Sequence, residues 1–542
     1  MNLKHLFTYS AAAALIAGGA LAMDTHPTTG EALADNQTFT YRLLDQFPTL
    51  DPQLIEETAG NHVGRQLFEA LIIQDENGGL VPGVASEWSS PDGNNTWEFK
   101  LRPEAKWSNG DPVTAHDFVY AWRRAADPAT ASPYGWYVEL SSITNAAQIL
   151  AGEASPDTLG VEAVDDHTLR VTLETPLPYF PNIVTYSTFY PAHQATIEAH
   201  GSDWTKPENI VGNGAYTLEE LVLNEFFTLK KNPNYWNADA TIIEEVKGVI
   251  INDVNTALTR YKAGEIDMLE PLPPGQYPSL KEEMPEQAHS VPRLCSYYYA
   301  VNFTDSGNPA LQDVNVRKAL SYAIDRDVIV NQVLKGGQAP SYNFTHWATA
   351  GFEKPTIDYS TWTQAERDAK AKELMSAAGY GAGGEPLELQ LIYNTSESHK
   401  AIATVMAQMW KQKLGVEVSM ENMEWQTYLE VRGEQKFDVA RSAWCGDYNE
   451  ASTFLDLVTT THGANDGKYS NGKVDELMKA SKTSMDPQAA YTEVEQILAD
   501  EMAIIPIYHY ANTFLLDETL KGFPMNNVEN NWYVKNFYRV AE

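Results

Sequence analysis

Short segments in which hydrophobic and polar residues alternate characterise the first part of the chain. Between Phe39 and Tyr190 the clearest are residues 96–101 and 168–173, both rich in β-branched or aromatic side chains. Alternation with a period of two predicts strands that bury one face. We therefore expect short strands to dominate this region and helices to be fewer.

The pattern changes after Leu311. Hydrophobic residues recur from Val316 to Ile324 at the spacing of an amphipathic helical stripe. Residues 387–420 then combine alternating leucines, a helical stripe that stops near Gly415, and a short strand pattern. This order predicts a βαβ unit. We therefore expect the C-terminal half to contain a separate α/β unit.

A further strand pattern, residues 437–441, is followed at once by polar and aromatic residues. Ligands of open α/β sheets bind beyond the carboxyl ends of parallel strands, so a residue just after this strand is placed to hold a ligand group. By the same rule, the strand that ends at Tyr393 delivers the residues after it to the same edge. Strand order thus predicts that four side chains converge there: His399, Arg441, Trp444 and Asp447.

The N-terminus has the features of a secretory signal peptide. Lys4 precedes an apolar stretch, residues 6–22, whose A-x-A ending predicts cleavage after Ala22. A membrane helix is the competing interpretation, but the stretch is short for a bilayer and contains polar residues and glycines. Because the first cysteine is Cys295, no thiol is placed for a lipid anchor. We therefore expect a soluble protein of the periplasm.

Composition narrows the possible partners. Without the leader, most of the 542 residues remain, which predicts two or three domains. The chain has 38 Lys and Arg against 73 Asp and Glu, and its net charge of −35 excludes nucleic acid as a partner. Such acidity is typical of a solubilising surface and does not by itself identify a cationic ligand.

The two cysteines, Cys295 and Cys445, are predicted to form a disulfide, because a lone pair in an exported chain is more often a disulfide than a metal site. They close a loop of 150 residues. For a loop of that length the chain-entropy model gives a stabilisation of about 5 kcal/mol. Both cysteines must then belong to one domain.

Local motifs of catalysis are missing from the sequence. It contains no nucleophile elbow, P-loop, H-E-x-x-H or paired C-x-x-C motif, and its 12 histidines lack metal-ligand spacing. Aromatic residues are abundant instead, with 28 tyrosines and 13 tryptophans, many beside charges. Aromatic faces and fixed charges suit a polar, flexible ligand. We predict a binding protein and not an enzyme, with no cofactor and no metal.

Several dispersed segments carry a family resemblance: residues 101–118, 213–216, 393–396 and 437–450. Along essentially the whole mature chain the sequence resembles the periplasmic oligopeptide-binding proteins of ABC importers, the peptide and nickel class (family 5) of solute-binding proteins. The resemblance implies an α/β fold of the two-lobed, class II (cluster C) periplasmic binding protein type. It also implies three domains and a hinge near Arg293 and Tyr510.

The domain boundaries implied by this resemblance pass back and forth between the lobes. Residues 23–68, 193–294 and 511–542 form domain I, and residues 69–192 form domain II; together they make the first lobe. Residues 295–510 form domain III, which is the second lobe. The cysteine pair matches the disulfide of the family.

The resemblance also implies the ligand-binding residues. Asp447 matches the acid that pairs with the terminal ammonium of a bound peptide, whereas a turn or helix-capping role is the simpler interpretation without the resemblance. Arg432, Arg441 and His399 match positions that meet ligand carboxylates. The other matches are pocket walls and one pocket acid: Tyr134, Tyr298, Trp425, Trp444 and Glu56.

The implied function is the capture of short peptides in a closing cleft and their delivery to a transmembrane permease by a monomeric protein. An alternative ligand is the murein tripeptide L-Ala-γ-D-Glu-diaminopimelate, because Ala300 and Leu334 replace an acid and a lysine of the general binders. Glu270 and Arg293 also replace tyrosines, whereas the cysteine pair is that of the general binders. More remote alternatives are a secreted peptidase and a nickel or haem carrier of the same fold.

Overall fold

The computed structural model describes residues 25–484 and 486–541. The predicted signal peptide and its cleavage site lie outside these residues. The described chain forms two lobes that share one mixed sheet of eleven strands. No helix in this part of the chain is long and apolar enough to cross a membrane.

The large sheet runs without interruption from one lobe to the other. In spatial order its strands are Glu417–Met423, Glu388–Asn394, Val439–Cys445, Ala288–Val301, Ile504–Leu516, Met268–Leu269, Thr38–Leu43, Glu245–Ile250, Phe226–Lys231 and Tyr216–Val222, with Ala339–Pro340 paired to Ile504–Leu516. The first three belong to the second lobe and the last five to the first lobe. The two long strands between them connect the lobes.

These connecting strands, Ala288–Val301 and Ile504–Leu516, pair antiparallel along most of their length. Their register shifts between Pro292 and Ser296, which is the point where their partners change. On one side of the shift the sheet continues into the first lobe, and on the other side it continues into Val439–Cys445 of the second lobe. An irregular ladder at this point leaves fewer hydrogen bonds to resist bending.

Smaller sheets and most of the short helices surround the first lobe. A four-stranded antiparallel sheet is formed by Ala85–Ser89, Thr96–Leu101, Thr168–Thr172 and Val161–Asp165, and two-stranded sheets are formed by Ile72–Gln74 with Leu80–Pro82 and by Leu520–Lys521 with Tyr538–Arg539.

The α-helices of the whole described chain are Thr58–Leu67, Ala115–Ala126, Gly135–Leu140, Ala146–Leu150, Phe180–Ile183, Gln194–His200, Val254–Lys262, Tyr277–Glu283, Val314–Tyr322, Arg326–Val328, Gln364–Ala377, Glu397–Leu414, Trp425–Gly433, Ser452–Leu455, Gly472–Ser481 and Gln488–Glu501.

The expectation that short strands dominate residues 39–190 is confirmed in number but not in length, since seven strands and five α-helices lie in that region. Helices Thr58–Leu67 and Ala115–Ala126 are the longest regular elements of that region. The second one begins where the Asp117 carboxylate accepts a hydrogen bond of 2.7 Å from the backbone N–H of Thr114. A Thr and an acid three residues apart are a helix-start signal, so the sequence carried this information.

The predicted βαβ unit is confirmed. Strand Glu388–Asn394 pairs in parallel with Glu417–Met423, and helix Glu397–Leu414 connects them. The helix ends at Gly415, whose φ of 73° lies in the left-handed region that glycine adopts without strain. The strand predicted at residues 437–441 lies in the same sheet, but it continues to Cys445.

Successive side chains of the tyrosine run on strand Ala288–Val301 are buried on opposite faces of the sheet in the second lobe. Tyr297 and Tyr299 pack in one hydrophobic core, and Tyr298 and Ala300 pack in another. This follows from the period of two in a strand that is covered on both faces. The strand is therefore a central element of the lobe and holds its neighbours in a fixed position.

The predicted disulfide is confirmed. Cys295 and Cys445 lie opposite each other on the adjacent strands Ala288–Val301 and Val439–Cys445. The bond ties the connecting strand to the strand that carries the candidate site, and both cysteines lie in the same lobe.

Candidate functional site

A cavity of about 370 Å³ lies between the two lobes. Its walls come from strand Thr38–Leu43 and helix Thr58–Leu67 of the first lobe, and from helix Trp425–Gly433 and strand Val439–Cys445 of the second. Seven carboxylate and five guanidinium side chains line it: Asp45, Glu56, Glu57, Glu270, Asp447, Asp466, Glu529, Arg42, Arg65, Arg293, Arg432 and Arg441. The volume is that of a small-molecule or short-peptide site, and the charges give it an excess of acid.

One edge of strand Val439–Cys445 is open to this cavity. On one side the strand pairs with Ala288–Val301 over its whole length, but on the other side the parallel neighbour reaches only to Ala440. Beyond that residue the ladder ends, and Ala443 and Cys445 line the cavity. The backbone of these residues is therefore available to a strand that is not part of the described chain.

The direction of the open backbone groups follows from the pairing. The Cα atoms of Cys295 and Cys445 are 3.9 Å apart, a close approach that marks a non-hydrogen-bonded pair of an antiparallel ladder. The next pair outward is hydrogen-bonded, since Gly446 N–H donates to Leu294 C=O at 2.8 Å. Because the two kinds of pair alternate, the N–H and C=O groups of Ala443 and Cys445 point away from the connecting strand and towards the open edge.

Asp447 lies directly beyond the end of this edge. Gly446 allows the chain to pack closely against Leu294, because a Cβ atom at that position would lie 2.7 Å from a methyl group of Leu294. The backbone N–H of Asp447 donates to the Thr453 hydroxyl at 2.9 Å, which fixes the orientation of the residue. The carboxylate is thus held at the end of the open strand edge by local contacts.

The Asp447 carboxylate is buried without a cation in contact with it. Asp447 is 8% exposed, and no Lys, Arg or His nitrogen of the described residues lies within 4.0 Å of its carboxylate oxygens, the distance of an ion pair. The Tyr134 hydroxyl donates to it at 3.3 Å. Burial raises the pKa of Asp447 well above its usual value; this hydrogen bond opposes the rise, Glu529 adds to it, and Arg65 opposes it from a longer distance. A cation of the right size would restore the ionised form.

Arg441 is a buried cation that faces the same cavity. It is 7% exposed, and its terminal nitrogens donate to the Tyr510 hydroxyl at 2.9 Å and to the Asn394 side chain at 3.4 Å. Its guanidinium lies 4.9 Å from the ring centroid of Tyr297. These partners are all neutral, so the positive charge has no carboxylate partner within the described chain and can attract one.

Arg432 differs from Arg441 because it already has an acidic partner. Its Nε lies 2.7 Å from Oδ2 of Asp466, and both side chains are largely buried. Glu56 approaches from the first lobe. Burial raises the pKa of Glu56, while Arg432 lowers it and Asp466 raises it, so the three charges act on one another across the cleft.

Eight of the nine peptide-binding residues named from the sequence line this cavity: Glu56, Tyr134, Tyr298, Trp425, Arg432, Arg441, Trp444 and Asp447. His399 is placed differently. It lies in the first turn of helix Glu397–Leu414, with its ring 5.6 Å from that of Tyr297. Burial lowers the pKa of His399 well below its usual value, and Arg441 lowers it further, so His399 is neutral behind the cavity wall.

Sequence reasoning did not identify the functional potential of three other cavity residues. The sequence marks Glu270 and Arg293 only as replacements of tyrosines, but in the structure they form an ion pair with an N–O distance of 2.9 Å. Glu529 lies close to Asp447, because Val528 accepts a hydrogen bond from Leu294, and Leu294 in turn accepts one from Gly446. Burial raises the pKa of Glu529 to about 7. No local pattern marks these residues, since their partners are distant in sequence.

Metal-type ligands do not cluster in the described ranges, 25–484 and 486–541. Within them, no group of three or more His, Cys, Asp or Glu side chains is arranged to hold a metal ion.

The chain has relatives at the level of family, sequence and structure. The family "Bacterial extracellular solute-binding proteins, family 5 Middle" matches residues 79–466. The chain belongs to this family. The solute-binding protein is also 40% identical to the periplasmic oligopeptide-binding protein OppA of Escherichia coli, over 99% of its own length and 98% of that protein.

The fold of this solute-binding protein is that of solved two-lobed relatives. It superposes on the structure of the Escherichia coli murein tripeptide binding protein MppA with a TM-score of 0.91 at 43% identity, covering 94% of this chain and 100% of that one. Against an MppA structure described as the unliganded open form the TM-score is 0.69, at 43% identity and covering 95% and 99% of the two chains. The lobes described here are therefore not arranged as in that open form.

Proposed function

We propose that this solute-binding protein captures short peptides in the cleft between its lobes and delivers them to the transmembrane permease of an ABC importer. The observation that carries the proposal is a strand edge that is open to the cavity and that ends at a buried carboxylate without a cation. A peptide in extended conformation has the backbone groups for that edge and an ammonium for Asp447. Free amino acids and sugars offer only part of this pattern.

The backbone of the ligand pairs with Ala443 and Cys445 in this proposal, as an added strand of the sheet. Main-chain hydrogen bonds of this kind give affinity without selecting a side-chain sequence. The ammonium of the first residue meets Asp447, and the buried Arg441 attracts a carboxylate of the ligand. Aromatic rings of Tyr134 and Trp444 cover the amine end, which is consistent with a broad range of side chains.

The remaining assignments follow from the same proposal. The chain acts in the periplasm as a monomer, and its signal peptide is cleaved after Ala22. It hydrolyses nothing, because its buried charges serve as binding partners. Residues near Arg293 and Tyr510, where the connecting strands change partners, form the hinge that opens the cleft, and the domain boundaries lie at residues 68–69, 192–193, 294–295 and 510–511.

A second candidate ligand is the murein tripeptide, because the chain shares 43% identity and its fold with a murein tripeptide binding protein. That ligand carries an additional carboxylate on its γ-linked glutamate. The charges around Arg432 decide whether such a carboxylate is accepted.

Calorimetric titration with trialanine and with N-acetyl-trialanine tests the proposal. Acetylation removes the ammonium and leaves the backbone unchanged, so we expect tight binding of the free amine and a large loss of affinity for the acetylated form. A tripeptide amide serves as the matched control at the other end of the ligand. Equal affinity for free and acetylated peptides would refute the role of Asp447, and mass spectrometry of the recovered peptides would reveal any cleavage.

A further inference from the structure

Arg432 and its neighbours form a charged corner of the cavity, made of Arg432 and Asp466 from the second lobe and Glu56 from the first. The Arg432 side chain is 18% exposed and that of Asp466 is 16% exposed. With an N–O distance of 2.7 Å the pair is in direct contact. Two carboxylates and one guanidinium therefore share this corner, and its formal charge is −1 when all three are ionised.

The corner is built by elements that hold these groups together without a ligand. Arg432 lies in the last turn of helix Trp425–Gly433, where its guanidinium lies 5.6 Å from the ring centroid of Tyr428. The backbone N–H of Asp466 donates to the carbonyl of Ala464 at 3.0 Å, which fixes the loop that presents the carboxylate. The acid therefore meets Arg432 from a segment more than thirty positions away in sequence, and its Oδ2 lies against Nε of the guanidinium.

We propose that Asp466 is a specificity-determining residue that neutralises Arg432, so that the cavity accepts peptides with neutral or cationic side chains at this corner and rejects carboxylates there. This inference rests on the proposed peptide-binding function. Arg441 provides the contrast, since its partners are neutral and it remains attractive to a carboxylate. Arg432 and Arg441 thus have opposite consequences for an acidic ligand group.

A consequence concerns the murein tripeptide. Its γ-linked glutamate exposes a carboxylate that a lone Arg432 would attract, but Asp466 and Glu56 repel a third negative charge in a partly buried site. The structure therefore assigns the protein to peptides that lack an acidic group at this position, and the murein tripeptide is a poor ligand.

Competition calorimetry with tripeptides tests the inference. Glu and its neutral isostere Gln are placed in turn at each of the three positions of trialanine, and the ratio of the two affinities is measured for every position. For the wild-type protein we expect Gln to be preferred over Glu by about tenfold at one position, the size of a single unfavourable charge contact. The Asp466→Asn variant should abolish or reverse that preference.

Two further variants make the result specific. Glu56→Gln removes the other acid of the corner and should shift the same ratio in the same direction by a smaller amount. Asp368→Asn is the matched control, because Asp368 pairs with Lys413 at 2.8 Å outside the cavity with similar exposure; this variant should retain the wild-type ratio. The murein tripeptide should bind Asp466→Asn more tightly than wild type.

The possible failures are distinguishable. If the wild-type protein binds trialanine but shows equal affinity for Glu and Gln at all positions, or if Asp466→Asn keeps the wild-type preference, the role of Asp466 is refuted. If no tripeptide binds to the wild-type protein, the proposed function itself fails. Trialanine affinity measured on Asp466→Asn shows whether that variant is folded, and Glu56→Gln provides the same test if it is not.

Discussion

Asp51 and Asp447 are both buried aspartates, but their surroundings differ completely. Asp51, 3% exposed in the first lobe, accepts hydrogen bonds from Arg124 and from the indole of Trp204, with Nη1–Oδ1 and Nε1–Oδ2 distances of 2.7 and 3.0 Å. Asp447 has hydroxyl and backbone partners, and no Lys, Arg or His nitrogen of the described residues lies within 4.0 Å of its carboxylate. An ionised carboxylate is costly to bury without a counter-ion.

The comparison shows how one residue type serves two purposes. The charge of Asp51 is neutralised inside the fold, so it contributes to the packing of helix Ala115–Ala126 against the segment that precedes Thr58–Leu67. The carboxylate of Asp447 lies on a cleft wall with no cation of the described residues in contact with it, so a ligand can supply the counter-ion. A buried acid that lacks a cation beside an open strand edge is therefore a functional feature.

Replacing the paired aspartate should produce the largest change in stability. Asp51→Ala leaves the largely buried Arg124 without its partner, and we expect the free energy of unfolding to fall by about 3–5 kcal/mol. Denaturant titration followed by circular dichroism measures this loss. Peptide affinity at a temperature where the variant is folded should stay at the wild-type value; a change in affinity with no loss of stability would break the distinction.

Replacing the unpaired aspartate should have the opposite profile. Asp447→Ala removes the partner of the ligand ammonium, and we expect peptide affinity to fall by about 2–5 kcal/mol. The free energy of unfolding of the ligand-free protein should change little, because the carboxyl group that is removed has no cation in contact with it whose charge would be left unpaired. Calorimetry and denaturant titration of the same preparation measure the two quantities, and unchanged affinity would disprove the assignment.

The pH dependence of binding should identify the Asp447 carboxylate. Its pKa is raised by burial, so the ligand-free protein binds a proton there that the ligand ammonium must displace. Below the raised pKa of Asp447 we expect affinity to fall on acidification, by up to about tenfold per pH unit once Asp447 is protonated in the ligand-free protein. Calorimetry in two buffers of different ionisation enthalpy measures the released proton, and Asp447→Asn should lose the dependence.

The same shift makes a statement about stability. Because the folded pKa of Asp447 lies above the unfolded value, its contribution to stability is present at pH values below the unfolded pKa and is lost as pH rises through the folded pKa. The difference in unfolding free energy between Asp447→Asn and wild type should therefore grow in favour of the variant as pH rises. A constant difference would contradict the raised pKa.

The smallest expected effect concerns the hydroxyl that supports Asp447. Tyr134→Phe removes a long hydrogen bond to the carboxylate, which raises its pKa further and should weaken peptide binding at neutral pH by roughly 1 kcal/mol. Tyr216→Phe, which removes a hydroxyl bonded to the Ile243 carbonyl in the first lobe, is the matched control and should leave affinity unchanged. Equal effects of both substitutions would point to a general packing role.

Much of the second lobe could be predicted from the sequence. The βαβ unit, the further strand and the position of Asp447 beyond it follow from local periodicity combined with the rule that parallel strands expose their carboxyl ends at one edge. The disulfide followed from the count of cysteines in an exported chain. The first lobe was less predictable, because several of its helices are short and partly apolar, and their patterns are easily taken for strands.

The charged contacts of the cleft were the least predictable part. Each of these contacts joins segments that are distant in sequence or belong to different elements. The contacts are Glu270 with Arg293, Arg432 with Asp466, and Glu529 beside Asp447. His399 shows the converse, since strand order placed it at the correct edge but the helix that carries it sets its ring behind the wall.

The sequence by itself determined the α/β elements of the second lobe, the disulfide and the family, because these depend on local periodicity, on residue counts and on extended similarity. The tertiary structure decided which charges are neutralised within the fold and which are left for a ligand. The physical reason is that ionic interactions depend on distance and burial, and both are fixed only when the two lobes and their connecting strands are assembled.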